Sequence, residues 1–312
     1  MDLLIEIILR AGRSAVELVF FILLPVMVVM LSLMRLLEAK GVIDRVVAML
    51  APLLRPIGLT GLGAFAALQI NFVSFAAPVA TLTMMESRGA SDRHLAATLA
   101  MVMAMQQANV TFPMAAMGLD FGLTLALSFV GGLVAAAACY HGFGRGLSVS
   151  EGPVDQTLHH RVADDAKGVL DVINRAGAEA FKIAVGAIPM LVLALVAVAL
   201  LRASGAIDLL VLALAPLLAL VSIDAALILP TLTKYIGGGT AMMGVMDEMI
   251  RNGSATVATM NRSAGFLIHP FDVPGIAVLI SAGRRVAAVW KPAALGACVG
   301  IAVRSVGHVL FA

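Results

Sequence analysis

The sequence predicts an all-α integral membrane protein that is built from two similar halves. Of its 312 residues, 61% are hydrophobic and only 13% are charged, whereas a soluble domain carries about 25% charged residues. The apolar residues gather in long runs, and the mean hydropathy is +1.02. Because water would not tolerate so much apolar surface, the bilayer is the solvent that this composition fits.

The apolar runs reach or approach the roughly 20 residues that a helix needs to cross the hydrocarbon core. They are 15–37, 61–85, 94–119, 121–143, 178–201, 223–246, 256–282 and 286–311. The first run is too long for a signal-peptide core, so we expect it to be retained as a helix. Two shorter stretches, 42–57 and 206–222, are predicted to be interfacial or half-depth helices.

A repeat divides the chain. Residues 25–54 and 189–218 align without a gap at an offset of 164, and 15 of the 30 positions are identical. The matches include two prolines, a glycine and an aspartate, which shared hydrophobicity does not explain. Duplication of this kind is how many transporters are built, with the site between the repeats.

The predicted domains are a first repeat at 1–145, a polar linker at 146–177 and a second repeat at 178–312. The linker holds the longest polar stretch of the chain, with several Arg and Lys residues. The positive-inside rule therefore predicts that the linker is cytoplasmic. Charge counting in the other loops does not decide whether the repeats are parallel or inverted.

Four stretches combine helix breakers with polar side chains at membrane depth. They are 69–81, 106–113, 230–240 and 269–275. A helix in lipid must satisfy its own backbone hydrogen bonds, so such breaks are tolerated where they line a cavity or are buried in protein. The sequence therefore predicts a central site where the four breaks meet.

The predicted substrate-binding residues come from these breaks. They are Gln69, Asn71, Gln106, Asn109, Thr111, Lys234, Thr240, His269 and Asp272. Amide side chains both donate and accept hydrogen bonds, which suits an uncharged polar solute. At an offset of 163, Gln106 aligns with His269 and Asn109 aligns with Asp272. This equivalence favours a functional role for both pairs.

Alternative roles remain open for several of these residues. His269 and Asp272 lie on one face of a helical turn and are suited to bind a cation, relay a proton or bind a hydroxyl. Gln69 and Asn71 are equally suited to join helices. Lys234 is as well suited to reach the membrane interface as to contact a substrate.

Several classes of function are excluded by the sequence. It contains no zinc-protease motif, no phosphate-binding Walker loop and no nucleophile elbow with a partnered histidine, so we predict no catalytic residues. Cys139 and Cys298 are isolated in apolar runs, so neither a disulfide framework nor a metal site is predicted. A net charge of +2 gives no reason to expect nucleic acid. No cofactor is predicted.

Three motifs resemble those of nucleoside-recognition, or Gate, domain proteins. They are the duplicated Gly-x-Ile-Asp…Ala-Pro-Leu-Leu unit, the Lys-Tyr-Ile-Gly-Gly-Gly-Thr segment at 234–240 and the His-Pro-x-Asp-x-Pro-Gly turn at 269–275. Relatives of that group include concentrative nucleoside transporters, the membrane part of ferrous-iron transport B proteins, and spore maturation proteins A and B. The resemblance covers nearly the whole chain outside the linker and implies one Gate unit per half, with broken helices or helical hairpins.

The expected function is transport or binding of a small polar solute, with a nucleoside-like molecule as the candidate and H⁺ or Na⁺ as the coupling ion. Substituting Asp272→Asn is expected to abolish coupling and to leave the fold intact. The alternative is a non-transporting membrane subunit that gates or scaffolds a partner protein. In either case we expect a multi-pass protein of a bacterial inner membrane that contacts lipid. Its expected protein partners are further copies of itself, in a homo-oligomer, or a different membrane subunit.

Overall fold

The structure is a computed structural model that describes residues 2–150, 167–206, 209, 212–213 and 224–312. Within these ranges every regular element is helical, as the sequence predicts. Predictions for residues 151–166 of the linker and for most of the segment 206–222 lie outside the described residues. Position 208, which holds the aspartate that matches Asp44 in the repeat, also lies outside the described residues.

The helices fall into two stretches of sequence on either side of the linker. Before it, they are α1 (Asp2–Glu17), α2 (Leu24–Ala39), α3 (Val42–Leu54), α4 (Gly61–Phe72), α5 (Pro78–Ser87), α6 (Asp92–Ala104), α7 (Ala108–Ala116) and α8 (Phe121–Ala138). After it, they are α9 (Val169–Ala203), α10 (Ile228–Arg251), α11 (Val257–Leu267), α12 (Val273–Ile280), α13 (Arg284–Ala288) and α14 (Trp290–Phe311).

Five helical segments in the described residues are long and apolar enough to cross a membrane. They are Leu4–Ala39, Asp92–Ala116, Phe121–Phe143, Val169–Leu201 and Trp290–Phe311. The first combines α1 and α2 through a π-helical stretch at Leu18–Leu23. Of the remaining apolar runs, 61–85 and 256–282 are divided into shorter helices, and 223–246 lies mostly in α10, which is interrupted at Gly238. Proline, glycine and polar residues within these runs interrupt the backbone hydrogen bonding.

The predicted half-depth helix at 42–57 is α3, followed by a short 3₁₀ turn at Arg55–Ile57. The chain bends by 107° between this segment and α4. Ile43 and Val47 are buried, whereas Met49 and Leu53 are exposed. One apolar face of α3 therefore packs on the protein and the other is available to lipid.

Two groups of helices form the core. In one, α14 packs against α6, α8 and α11, and in the other α2 lies along α9. Glycines allow the closest approach: a Cβ added to Gly300 of α14 would lie 2.3 Å from the carbonyl oxygen of Gly131 in α8. Small residues let membrane helices pack this tightly. Between α2 and α9, Arg35 pairs with Glu179 at 2.8 Å.

Candidate functional site

The first break lies between α4 and α5, which pack against each other as a hairpin. Inside it, the Thr81 hydroxyl donates a 2.7 Å hydrogen bond to Oε1 of Gln69. The residues of the turn, Ser74 to Ala77, connect the two short helices. Gln69 therefore ties the two arms of the hairpin together.

The second break separates α6 from α7, and its backbone is extended at Met105 and Gln107. A buried chain of hydrogen bonds supports it. The Gln106 backbone N–H donates to Oγ of Ser128 at 2.9 Å, and that hydroxyl donates to Oδ1 of Asn71 at 2.8 Å. Polar groups in a membrane protein need such partners. Asn71 and Ser128 therefore hold the second break against α4 and α8.

The third and fourth breaks lie in the second half of the chain. Helix α10 is interrupted at Gly238, whose φ of 85° and ψ of 174° are accessible only to glycine at low energy. Between α11 and α12, Asp272 caps the following helix, because its Oδ1 accepts a 2.7 Å hydrogen bond from the Gly275 backbone N–H.

The four breaks meet at one cavity of about 400 Å³. They contribute Ser74, Phe75, Ala76, Gln107, Asn109, Gly237, Gly238, Gly239, Thr240, Asp272, Pro274 and Gly275 to its wall. Helix α9 closes another side with Lys182, Ile183, Gly186 and Ala187, and Leu23 completes the wall. A mostly apolar wall with a few convergent polar groups is typical of a small-molecule site.

Asn109 and Gln107 connect the breaks across the cavity. Oδ1 of Asn109 accepts a 3.2 Å hydrogen bond from the Phe75 backbone N–H, and its Nδ2 lies 3.4 Å from Oγ1 of Thr240. Nε2 of Gln107 donates to the His269 carbonyl oxygen at 3.2 Å. The two amides thus join the second break to each of the other three.

Lys234 and Asp272 form an ion pair between Nζ and Oδ2 behind the cavity wall. The Lys234 side chain is fully buried, and only 2% of the Asp272 side chain is exposed. A buried charge is costly without a partner, so each member of the pair depends on the other. Asp272 lines the cavity as well, and a change in its charge would act on Lys234 and on the start of α12.

His269 is fully buried, and the backbone engages both of its ring nitrogens. Nδ1 accepts a 3.1 Å hydrogen bond from the Phe271 N–H, and Nε2–H donates a 2.8 Å bond to the Phe266 carbonyl oxygen. These two contacts define the tautomer with hydrogen on Nε2. The ring thus fixes the shape of the fourth break.

The structure divides the sequence-predicted site residues into two groups. Asn109, Thr240 and Asp272 line the cavity. The residues behind the wall are Gln69, Asn71, Gln106, Thr111, Lys234 and His269. Among these, the Thr111 hydroxyl bonds to the Gln107 carbonyl oxygen of its own helix at 3.1 Å.

Sequence reasoning did not select Gln107 or Lys182, both of which line the cavity. Gln107 lies inside the second predicted break, and its place beside Asn109 was the available signal. Lys182 is exposed on α9. In the sequence, it is recognisable only as one of the positive charges near the linker. Among the described residues, no group of three or more His, Cys, Asp and Glu side chains is placed to hold a metal ion.

No protein-family model matches the chain, and no curated protein matches it in sequence. Solved structures do match. CNTnw, a concentrative nucleoside transporter, matches in an inward-facing substrate-bound state with a TM-score of 0.66 and 16% identity, over 92% of this chain and 72% of that chain. A CNTnw variant in an outward-facing state matches with a TM-score of 0.68 and 15% identity, over 99% of this chain and 83% of that chain.

The shared feature is the fold. At these identities, the similarity establishes an all-helical, multi-pass membrane architecture of the concentrative nucleoside transporter type. The neighbours are transporters and not enzymes, in agreement with a sequence that contains no enzyme motif. Among the proteins named with the sequence resemblance, the concentrative nucleoside transporters share the fold of this chain.

Proposed function

We propose that the chain transports a small polar solute across the membrane and that the cavity at the four breaks is its binding site. The observation that carries this proposal is the convergence of all four breaks, with their polar side chains, on one space of about 400 Å³. Cavities that bind small molecules measure about 300–1,000 Å³. A nucleoside-like molecule is the first candidate, because CNTnw was solved with substrate bound in the same fold.

Asn109, Gln107 and Thr240 are proposed to contact the solute. Their positions support this role, because all three line the cavity and carry groups that donate and accept hydrogen bonds. Gln69, Asn71 and His269 are proposed to hold the breaks in shape. Gln106 is proposed to do so through its backbone N–H, and Thr111 is proposed to bond only within its own helix. For His269, the engagement of both ring nitrogens by the backbone favours this positioning role over direct coupling.

The Lys234–Asp272 pair is proposed to couple transport to H⁺ or Na⁺. Lys234 already supplies Asp272 with a cation, which favours a proton over a sodium ion at this carboxylate. Protonation would remove the charge of Asp272 and leave Lys234 without its partner. Loss of the charge partner in a buried ion pair is sufficient to shift the equilibrium between two conformations of the protein.

The broader assignment follows from the same proposal. The chain is proposed to be a Gate-type protein of a bacterial inner membrane, either alone or as a homo-oligomer. The apolar outer face of α3, at Met49 and Leu53, is available to lipid or to a second copy.

A ligand screen on the purified protein tests the proposal. A solute that binds the native state raises the apparent melting temperature, so nucleosides, nucleobases and small polar metabolites are compared at two pH values, with and without Na⁺. We expect one chemical class to raise it, and Asn109→Ala to weaken that response while Thr111→Val keeps it. A response that is equal in all three proteins would place the solute elsewhere. No response and no uptake by reconstituted vesicles would favour a non-transporting subunit.

A further inference from the structure

Arg304 is a fully buried cation in the middle of α14, which is long and apolar enough to span the membrane. Among the described residues, no carboxylate forms an ion pair with it. Instead, Nη1 donates two hydrogen bonds to carbonyl oxygens, at 2.6 Å to Ala104 and at 3.0 Å to Ile268. A charge in this position is costly in lipid and is a sign of function.

The two carbonyl groups belong to equivalent places in the fold. Ala104 is the last residue of α6, and Ile268 directly follows the last residue of α11. Each lies where a helix stops before a break. The last carbonyl groups of a helix lack backbone partners and carry a partial negative charge. Arg304 therefore binds the negative ends of both broken helices with one nitrogen atom.

The neighbouring helices leave room for the side chain and for the backbone of Arg304. A Cβ added to Gly131 of α8 would lie 2.3 Å from Cγ of Arg304, and one added to Gly265 of α11 would lie 2.4 Å from its carbonyl oxygen. Any larger residue at either position would displace Arg304. Gly131 thus leaves room for the Arg304 side chain, and Gly265 lets the backbone of α14 approach α11 closely. Together they allow the guanidinium group to reach both breaks.

Unwound carbonyl groups and the C-terminal ends of half-helices are the groups with which secondary transporters coordinate a free coupling cation. We propose that Arg304 is a built-in cation that takes the place of such an ion at this junction. It neutralises the ends of α6 and α11 permanently and holds the two breaks together. The junction therefore stays assembled without Na⁺, and ion coupling resides elsewhere in the protein. This proposal does not depend on which solute is carried.

Replacement of Arg304 tests the proposal through the stability of the purified full-length chain. The apparent melting temperature is measured in chloride salts of choline, Na⁺ and methylguanidinium at equal ionic strength. Arg304→Ala exposes the two carbonyl groups, so we expect it to melt several degrees lower in choline and to recover part of that loss in methylguanidinium or Na⁺. The wild type is expected to lack this recovery.

Arg285→Ala is the matched control, because Arg285 also binds a carbonyl group, that of Ala90 at 2.6 Å, but is partly exposed to solvent. Solvent replaces the lost contact there, so no recovery specific to a small cation is expected. An Arg304→Ala protein that responds to the three salts as the wild type does would overturn the proposal.

A second pair of variants keeps the test decisive if Arg304→Ala does not fold. Nε and Nη2 of Arg304 have no hydrogen-bond partner in the described residues, so one ammonium group is sufficient for the two carbonyl groups. Arg304→Lys is therefore expected to melt higher than the uncharged, similarly sized Arg304→Met. If Arg304→Met is as stable as Arg304→Lys or more so, the positive charge is not what the junction requires and the proposal is wrong.

Discussion

The break between α6 and α7 and the break between α11 and α12 have the same form but opposite chemistry. Each interrupts a helix at the cavity, and sequence register places Gln106 against His269 and Asn109 against Asp272. The first break carries neutral amides. The second carries a carboxylate that is paired with Lys234. The difference indicates that the two breaks have separate tasks.

Neutral amides keep their hydrogen-bonding capacity regardless of pH or ion gradient, so they are suited to hold a solute. A buried ion pair is sensitive to any change in charge, because each member stabilises the other. We therefore infer that the α6–α7 break binds the solute and that the α11–α12 break responds to the coupling ion.

The largest expected effect is that of Asp272→Asn. Asparagine retains an oxygen that is able to cap Gly275, but Lys234 is left as a buried charge without its partner. Breaking a buried pair in this way costs about 3–5 kcal/mol. We expect a lower melting temperature and loss of gradient-driven uptake. The sequence alone predicts an unchanged fold, and the ion pair is the reason for the different expectation.

A double variant separates the two consequences of Asp272→Asn. Adding Lys234→Met removes the unpaired charge, so the melting temperature is expected to recover while gradient-driven uptake stays absent. A single Asp272→Asn variant with the stability of the wild type would contradict a role for the pair in holding α10 to α12.

Gly238→Ala is expected to have the next largest effect. Its backbone conformation is unfavourable for any residue with a Cβ and costs about 1–3 kcal/mol. The added Cβ would also lie 3.1 Å from Cγ of Pro274. Gly186→Ala is the control within the same cavity, because nothing lies within 4 Å of its added Cβ. Thermal unfolding of both variants measures the difference, and equal stability would show that the break in α10 does not require glycine.

The locations of the breaks were predictable because proline and glycine interrupt a helix where they stand, and amides in an apolar run mark the same places. The cavity residues were only partly predictable. Asn71 and His269 have the same composition signal as Asn109, yet their hydrogen bonds go to neighbouring helices and to backbone. Which face of a short helix meets the cavity depends on how the other helices cross it, and no local pattern contains that information.

The partners of the buried charges could likewise not be predicted from the sequence. Lys234 and Asp272 are separated by 38 residues, and their pairing follows from the fold of α10 against α12. Arg304 gave a signal, as a charge inside the last apolar run, although its binding to two helix ends requires the structure. A charged residue within a predicted membrane helix is therefore worth the same attention as a proline or glycine break.

Asn109→Ala is expected to have a smaller effect, chiefly on solute affinity. It removes an amide from the cavity wall, so we expect the loss of one hydrogen bond to the solute, about 1 kcal/mol or roughly fivefold in affinity. The bonds to the Phe75 N–H and to Thr240 are lost as well, so a small fall in melting temperature accompanies it. Equilibrium binding of the solute found by the screen measures it. Thr111→Val is the control, since its hydroxyl bonds only within its own helix. A larger loss in Thr111→Val than in Asn109→Ala would contradict the proposed binding face.

The smallest expected effect is that of Gly239→Ala, whose Cβ would lie 2.1 Å from Nε2 of Gln107. The flexible amide is expected to move aside and to lose its hydrogen bond to the His269 carbonyl oxygen. Solute affinity is therefore expected to fall, and the melting temperature to fall less than in Gly238→Ala. In a Gln107→Ala background, the same substitution should have little further effect on affinity, because the severe clash is gone and the nearest remaining atom is Cγ2 of Val110 at 3.1 Å. Additive losses in the double variant would show that Gly239 acts on another part of the site.

The most direct test of the division between the two breaks compares passive exchange with gradient-driven accumulation in the same reconstituted vesicles. The Lys234→Met, Asp272→Asn double variant is predicted to exchange solute across the membrane but not to accumulate it against a gradient. Asn109→Ala is predicted to lower both rates together through its weaker affinity. Accumulation by the double variant at the wild-type level would contradict the assignment of coupling to the Lys234–Asp272 pair.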